Sequence, residues 1–172
     1  MLSNIHIRLI NDSDSLEKLT ELLHTGYKSL ADQGFRSLAT HQDEATTKKR
    51  IEGKECYLVL NGAQMIGTIC YRPPHPAANE SYGHPWYNQP FIASFGQFTV
   101  HPQFQNQGIG SRLIEFAERA AIRDKAIEIS LDTPINNEQL RSYYAKRGYR
   151  EVAQAQWKEV NYRSVLLSKK LV

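Results

Sequence analysis

Apolar residues recur along the chain with two periods, one typical of strands and one typical of helices. Residues 5–9 alternate between apolar and polar and predict a first strand. Leucines at helical spacing in 16–23 follow the cap-forming run 11–14, and they predict an amphipathic helix that ends near Gly26. A polar, charge-rich stretch from 40 to 51 predicts a second, exposed helix.

A tight hairpin and a long loop come next. Two apolar runs, 56–60 and 65–71, flank Asn61-Gly62, a pair that readily adopts positive φ and favours a turn between strands. Residues 72–90 then hold five of the chain's seven prolines. That proline density excludes a helix or a central strand. The segment is therefore predicted to be a long loop, and such loops are often functional.

The second half of the chain alternates strand signals with helix signals. Strands are predicted at 91–100, 126–131, 149–153 and 162–167, and helices at 108–123 and 136–146. No internal repeat, linker or low-complexity tract interrupts these elements. The order β-α-α-β-β-β-α-β-α-β-β predicts one mixed α/β domain over residues 1–172.

Length, charge and cysteine content exclude several classes of protein. A chain of 172 residues can bury a core without metals or disulfides, and its net charge of +3 comes without the long basic run of a nucleic-acid binder. No apolar stretch approaches the roughly 18 residues of a membrane span, and the first residues lack the layout of a signal peptide. Cys56 and Cys70 form neither a zinc motif nor a disulfide framework, so we expect both to be reduced and buried in a cytoplasmic protein.

A loop suited to binding phosphate lies between the strand at 91–100 and the following helix. It reads Gln105-Asn106-Gln107-Gly108-Ile109-Gly110-Ser111. N–H groups at a helix N-terminus lack internal partners and lie at the positive end of the helix dipole, so they bind anions. Gly108 and Gly110 let an anion approach because they carry no side chain. Leu113 stands where a dinucleotide fingerprint needs its third glycine, and no P-loop lysine follows.

Two motifs resemble those of the GCN5-related N-acetyltransferase (GNAT) family. Gln105 to Gly110 matches that family's Gln/Arg-x-x-Gly-x-Gly/Ala motif and follows Val100-His101-Pro102, similar to the Val-x-Pro common in its members. In the second motif, Asn137 is followed by Tyr144 seven residues later and then by Gly148-Tyr149, where Tyr replaces the usual Phe. The resemblance covers the whole chain. It implies the acyl-CoA N-acyltransferase fold, a mixed and mostly antiparallel sheet of about seven strands with flanking helices.

The resemblance also implies roles for individual residues in transferring an acetyl group from acetyl-coenzyme A (acetyl-CoA) to a primary amine. The pyrophosphate would be held by Gln105, Asn106, Gln107, Gly108, Ile109, Gly110 and Ser111. The backbone of Phe98, Thr99 and Val100 would pair with the pantetheine arm, and Asn137 would bond to it. Tyr144 would contact the cofactor and protonate the departing thiolate, a role for which Tyr143 is the alternative.

The group that takes the proton from the amine stays open. Some family members place a Glu on the strand before the phosphate loop, whereas residues 92–98 carry no acid here. Gln97 cannot be a base, but it is a candidate for a hydrogen bond to the substrate. The candidates for the base are Asp132, His75, Glu80 and His84, and a water relay is an equal alternative.

Aromatic residues of the proline-rich loop are candidates for the acceptor pocket. Trp86 is the main candidate for binding the acceptor. Tyr82, Tyr87 and Phe91 could line the same pocket or stack on a cation. The alternative is that they only pin the loop to the surface. Tyr27, Phe35 and Arg36 lie between the first two helices, which form the other wall in relatives.

Three functions fit these observations. The first is acetyl transfer to the amine of a small molecule, which the aromatic loop favours because it would narrow the cleft. The second is acetylation of a protein N-terminus or lysine. The third is a non-catalytic sensor of acyl-CoA, against which an intact Tyr144 counts. We expect no metal, no nucleic-acid or membrane partner, and a monomer or homodimer.

Overall fold

The computed structural model describes residues 4–74 and 83–172, which form a seven-stranded mixed sheet and four α-helices. The strands are β1 Ile5–Leu9, β2 Glu55–Asn61, β3 Gln64–Arg72, β4 Ile92–Val100, β5 Glu128–Pro134, β6 Arg150–Ala155 and β7 Ser164–Lys170. The helices are α1 Leu16–Asp32, α2 Glu44–Ile51, α3 Ile109–Arg123 and α4 Glu138–Ala145. The strand order is β1-β2-β3-β4-β5-β7-β6, with β4 and β5 parallel. The predicted order of elements and the predicted fold class are confirmed.

The chain divides into two compact units. The first unit comprises residues 1–71 and 97–117, and the second comprises 72–96 and 118–172. Strand β4 and helix α3 each contribute residues to both units. That the whole of 1–172 acts as one acetyltransferase domain stays a prediction.

The core of the first unit forms where α1 meets the hairpin strands. Leu19 and Leu23 on α1 pack against Cys56, Leu58 and Cys70 of β2 and β3. Ser15 begins the helix, since its side chain accepts a hydrogen bond from the N–H of Lys18. The hairpin turns as predicted, with Gly62 at a φ of 60°.

Helix α1 does not end near Gly26 as predicted, but continues to Asp32. A Cβ on Gly26 would lie 1.8 Å from Oγ1 of Thr99. Glycine is therefore present because a β4 side chain packs directly against the helix backbone, and it does not mark the helix end. The contact joins residues far apart in sequence, so the local pattern could not reveal it.

The second predicted helix is shorter than expected. Residues 38–40 form a single 3₁₀ turn, and α2 begins only at Glu44. The side chain of Asp43 accepts a hydrogen bond from the N–H of Thr46 and so caps α2.

The two cysteines are buried and neither forms a disulfide, as predicted. Cys56 lies directly opposite Cys70 in the register of β2 and β3. Burial, followed in size by the neighbouring Cys70 thiol, raises the pKa of Cys56 to about 12. A thiol that stays protonated is a poor nucleophile, so Cys56 is a core residue and not a reactive one.

In the second unit several strands begin later than the pattern predicted. Phe91, at a φ of 67°, precedes β4, and Lys125, at a φ of 60°, lies in the turn between α3 and β5. The N–H of Ala126 still bonds back to Ala121 in α3, which delays β5 to Glu128. The proline-rich loop contains a 3₁₀ turn over residues 85–88, contrary to the expected absence of helix. Pro85 occupies its first position, where a missing N–H costs nothing.

A buried polar chain crosses the sheet of the second unit. The indole N–H of Trp86 donates to Ser130, Ser130 donates to Ser168, and Ser168 donates to the carboxylate of Glu128, at 2.8, 2.8 and 2.6 Å. Arg150 also donates to Glu128, at 2.9 Å, and lowers the pKa of that carboxyl. The indole and the two hydroxyls of this hydrogen-bonded series each donate to an acceptor, so these polar groups can be buried at little cost.

Candidate active site

The loop between β4 and α3 has the geometry of an anion-binding turn. Asn106 and Gly108 have left-handed backbones, with φ of 60° and 80°. The first helical bond of α3 runs from the N–H of Arg112 to the carbonyl of Gly108, at 3.1 Å. The N–H groups of residues 109–111 therefore precede the helical bonding pattern, at the positive end of the helix dipole.

Gly108 leaves room for a ligand. A Cβ built on Gly108 has no protein atom within 4 Å. The glycine therefore does not serve close packing. Its φ of 80° and the open space above it are both what a phosphate held by backbone N–H groups requires. The residues of this loop fit the pyrophosphate of coenzyme A.

Internal hydrogen bonds hold the loop in place. The side-chain amide of Gln105 donates to the carbonyl of Val100 at 3.0 Å, and that of Gln107 donates to the carbonyl of Gln103 at 3.4 Å. The N–H of His101 bonds to the carbonyl of Ile66 on β3 at 2.8 Å. These two bonds fix the backbone of the loop, and the role of both glutamines in holding the pyrophosphate stays a prediction.

Strand β4 extends beyond the residues that pair with β5. The parallel register comprises three residue pairs and ends at Ser94 with Ser130. Phe98 is half-buried, while Thr99 and Val100 are buried. A strand segment beyond the end of its ladder is where an extended chain can add by main-chain hydrogen bonds, as predicted for the pantetheine arm.

Gln97 interrupts β4. Its φ of 45° is left-handed, although it is not a glycine, and its side chain is buried. The side-chain oxygen accepts a hydrogen bond from Gln42, at 2.9 Å. A non-glycine residue in this conformation is strained, and such strain clusters at functional sites.

The second motif lies entirely in the second unit. Asn137 is buried and caps α4, because its Oδ1 accepts from the N–H of Leu140 at 3.0 Å. This bond uses the oxygen of the amide, so its N–H groups are the atoms available for a cofactor. The structure gives Asn137 a capping role, and its bond to the pantetheine arm stays a prediction.

The two adjacent tyrosines of α4 have different surroundings. Tyr144 is buried, with its ring 6.4 Å from that of Phe95 and 5.8 Å from that of Tyr149. Tyr143 is half-buried and lies under the guanidinium of Arg147, 3.5 Å from the ring centre. The choice of Tyr144 as the acid stays a prediction, and the two environments make the pair separable by mutation.

Tyr149 shows how the chain accommodates a departure from the family motif. Its ring is buried, and its hydroxyl donates to Glu118 at 3.0 Å. Lys169 holds the same carboxylate at 2.9 Å. Burial first, and then the Glu118 charge, raise the pKa of Tyr149 above its ordinary value. The extra hydroxyl relative to Phe is therefore satisfied and stays protonated.

Two of the four predicted bases lie in the described residues. Asp132 is exposed and accepts hydrogen bonds from the hydroxyl of Tyr87 at 3.2 Å and the indole of Trp157 at 3.0 Å. Nδ1 of His84 accepts from the N–H of Trp86 at 3.1 Å. A neutral imidazole that accepts at Nδ1 carries its hydrogen on Nε2 and has no free lone pair. Asp132 is therefore the better candidate of the two, while His75 and Glu80 lie outside the described residues.

Trp86 and Tyr87 of the loop are attached to the sheet of the second unit. Trp86 packs on the cluster of Tyr87, Ala155 and Leu166. Burial first, and then the Asp132 charge, raise the pKa of Tyr87, so its phenol stays protonated. Phe91 is exposed. These contacts support the alternative in which the aromatics pin the loop, and a role for Trp86 at the acceptor stays a prediction. Tyr82 lies outside the described residues.

Of the residues expected on the other wall, Tyr27 packs against the core of the first unit, and Phe35 and Arg36 follow the end of α1. The first unit thus holds 97–100 and 105–111 in one continuous stretch, and the second unit holds Trp86, Asn137 and Tyr144. Sequence reasoning missed Gln42, because nothing local in the sequence indicates that it contacts Gln97.

Comparisons with known proteins show the family of this chain. The sequence profile of the acetyltransferase (GNAT) family matches residues 16–149. The S-(2-succino)cysteine N-acetyltransferase of Bacillus subtilis (strain 168) is 30% identical over 146 residues, covering 83% of this chain and 82% of that protein. The S-alkylcysteine N-acetyltransferase of the same organism is 26% identical over 151 residues, covering 86% and 80%. The chain therefore belongs to the acetyltransferase (GNAT) family.

A solved structure shows the same fold. The PaiA N-acetyltransferase of Thermoplasma acidophilum, in complex with coenzyme A, superposes with a TM-score of 0.69 at 17% identity, covering 97% of this chain and 99% of that one. Family membership makes the chain an acetyl-CoA-dependent N-acetyltransferase, as the sequence predicted. Within the described residues, no helix is long and apolar enough to cross a membrane.

Proposed function

We propose that this enzyme acetylates the α-amine of a small amino acid, an S-substituted cysteine or a close analogue. The observation that carries the proposal is the agreement between two curated relatives, both of which are named for N-acetylation of an S-substituted cysteine. Their similarity extends over at least four-fifths of each chain, 80% in the lower case.

On the cofactor side, the backbone N–H groups of 109–111 would hold the pyrophosphate of acetyl-CoA. The backbone of Phe98 to Val100 pairs with the pantetheine arm, and the amide of Asn137 bonds to it. The support is the open space at Gly108 and the end of the β4 register at Ser94. When bound, acetyl-CoA supplies the thioester whose carbonyl carbon the amine attacks and whose thiol leaves.

The chain's own residues move two protons. Tyr144 donates its phenolic proton to the departing sulfur, since a phenol with a pKa near 10 can protonate a thiolate whose thiol has a pKa near 8.5. The amine loses its proton to Asp132 or to a water relay. Asp132 is supported by its exposure and by the absence of any acid on β4. A backbone N–H of residues 98–100 would stabilise the negative charge that develops on the thioester oxygen, which is worth roughly 2.7–4 kcal/mol per donor.

The test is a thiol-release assay with a panel of amines. S-methylcysteine and S-(2-succino)cysteine represent the proposed class, and a peptide with a free N-terminus, lysine peptides, polyamines and an aminoglycoside represent the alternatives. We expect kcat/KM for at least one cysteine derivative to exceed that for every other amine by tenfold. Turnover of peptides alone would make the enzyme a protein acetyltransferase. Coenzyme A binding without turnover of any amine would favour an acyl-CoA sensor.

A further inference from the structure

Three side chains of the first unit form a hydrogen-bonded relay, which we call the carboxamide relay: Arg50, Gln42 and Gln97. Nη1 of Arg50 donates to Oε1 of Gln42 at 2.6 Å, and Nε2 of Gln42 donates to Oε1 of Gln97 at 2.9 Å. Gln42 and Gln97 are 2% and 5% exposed. The relay thus runs from a charged guanidinium on α2 to the strained position of β4.

The charge of Arg50 fixes the orientation of both amides. A guanidinium has no acceptor, so the oxygen of Gln42 must face it. The nitrogen of Gln42 then faces Oγ1 of Thr47, at 2.8 Å, and Gln97. Gln97 must in turn present its oxygen to that nitrogen. Reversing either amide would bring two donors together, so the orientation follows from the relay.

This orientation leaves the other end of Gln97 as a hydrogen-bond donor. Nε2 of Gln97 is buried and has no hydrogen-bond partner among the residues that the structure describes. Buried polar groups in native proteins almost always have partners. The exception lies on β4, one residue before the segment that is proposed to pair with the cofactor.

We infer that Gln97 Nε2 binds a carboxylate oxygen of the amino-acid acceptor and selects acceptors that carry a carboxylate. The inference rests on the proposed function and deepens it. Gln97 Nε2 is a hydrogen-bond donor and needs an acceptor. The ammonium of the substrate has only donors, so the carboxylate of the substrate is the group that pairs with Gln97. The nitrogen is covered by protein atoms in this structure, so a carboxylate reaches it only when neighbouring side chains shift while the hydrogen bond from Gln42 to Gln97 is kept.

Gln97 is thus a specificity-determining residue, while Gln42 and Arg50 are positioning residues. A hydrogen bond to a charged group is among the stronger ones, and its loss leaves a buried group unsatisfied. We expect the effect of Gln97 on acceptor choice to be at least tenfold, which corresponds to about 1.4 kcal/mol.

The experiment compares S-methylcysteine with S-methylcysteamine, which lacks only the carboxylate. The quantity measured is the ratio of kcat/KM for the two acceptors. Gln97→Glu replaces the donor by an acceptor that repels a carboxylate, and Gln97→Met removes the donor without adding charge. Gln42→Glu keeps the partner of Arg50 but cannot donate to Gln97. Gln64→Glu, on the exposed start of β3, is the control for the change in charge.

We expect the wild-type chain to prefer S-methylcysteine and both Gln97 variants to lose at least tenfold of that preference. Gln42→Glu should lose part of the preference for S-methylcysteine, and Gln64→Glu should keep all of it. Equal losses on both acceptors, or a changed KM for acetyl-CoA with the preference intact, would overturn the inference and leave the proposed function standing. A wild-type chain that acetylates neither these two compounds nor S-(2-succino)cysteine overturns the proposed function itself, and the inference with it. If Gln97→Glu does not fold, Gln97→Met decides the question.

Discussion

Gly26→Ala gives a direct test of how the first unit is packed. In an exposed helix this substitution would stabilise by about 1 kcal/mol, because alanine is the better helix former. Here the new Cβ would lie 1.8 Å from Oγ1 of Thr99 and 2.8 Å from its Cβ and Cγ2. Thr99 is buried, so its side chain cannot rotate freely away. Overpacking of this kind costs about 3 kcal/mol at the upper end, and we expect a net loss of about 2 kcal/mol.

The assay is urea unfolding of four proteins: wild type, Gly26→Ala, Thr99→Ala and the double variant. The double variant should be more stable than the sum of the single changes predicts, by about 1 kcal/mol, because Thr99→Ala removes the nearest overlapping atom. Gly96→Ala is the control, since a Cβ at Gly96 has no atom within 4 Å and its φ is not left-handed. It should change stability by less than about 0.5 kcal/mol. A Gly26→Ala variant as stable as the wild type would refute this account of the contact.

Three further changes test other parts of the structure. Tyr144→Phe should lower kcat far more than it weakens coenzyme A binding by calorimetry, and a loss seen only in Tyr143→Phe would reverse the assignment. Trp86→Ala should raise the KM of the acceptor and leave coenzyme A binding within about twofold. It should also lower the melting temperature, because Trp86 is pinned to the sheet. Arg8 lowers the pKa of Asp14, so the stability from this pair is present above about pH 4 and lost as pH falls further. The acid-induced drop in melting temperature should therefore be smaller in Asp14→Asn.

The sequence predicted the order of elements because strand and helix periods are local properties of the chain. It failed where a distant residue decides the local structure. Gly26 resembles a helix stop until Thr99, from β4, is placed against it. The start of β5 was placed too early because the turn after α3 keeps Ala126 bonded to Ala121.

The candidate site shows the same limit. The phosphate loop is a continuous motif, and its glycine geometry follows from residues a few positions apart. The carboxamide relay joins Gln42, Arg50 and Gln97, and the two glutamines are 55 positions apart in the sequence. No rule of residue spacing predicts a contact over that separation. The acceptor side is built from such distant contacts, which is why the sequence alone did not name an acceptor.

The central claim, that the β4–α3 loop holds the pyrophosphate of coenzyme A, is tested most directly by calorimetric titration of coenzyme A into Gly108→Leu and Gly53→Leu. Both glycines have left-handed backbones, with φ of 80° and 68°, and neither has an atom within 4 Å of a built Cβ. Both variants should therefore lose similar stability from backbone strain. We expect only Gly108→Leu to bind coenzyme A at least tenfold more weakly than the wild type. Affinity within about twofold of wild type in Gly108→Leu would contradict the claim.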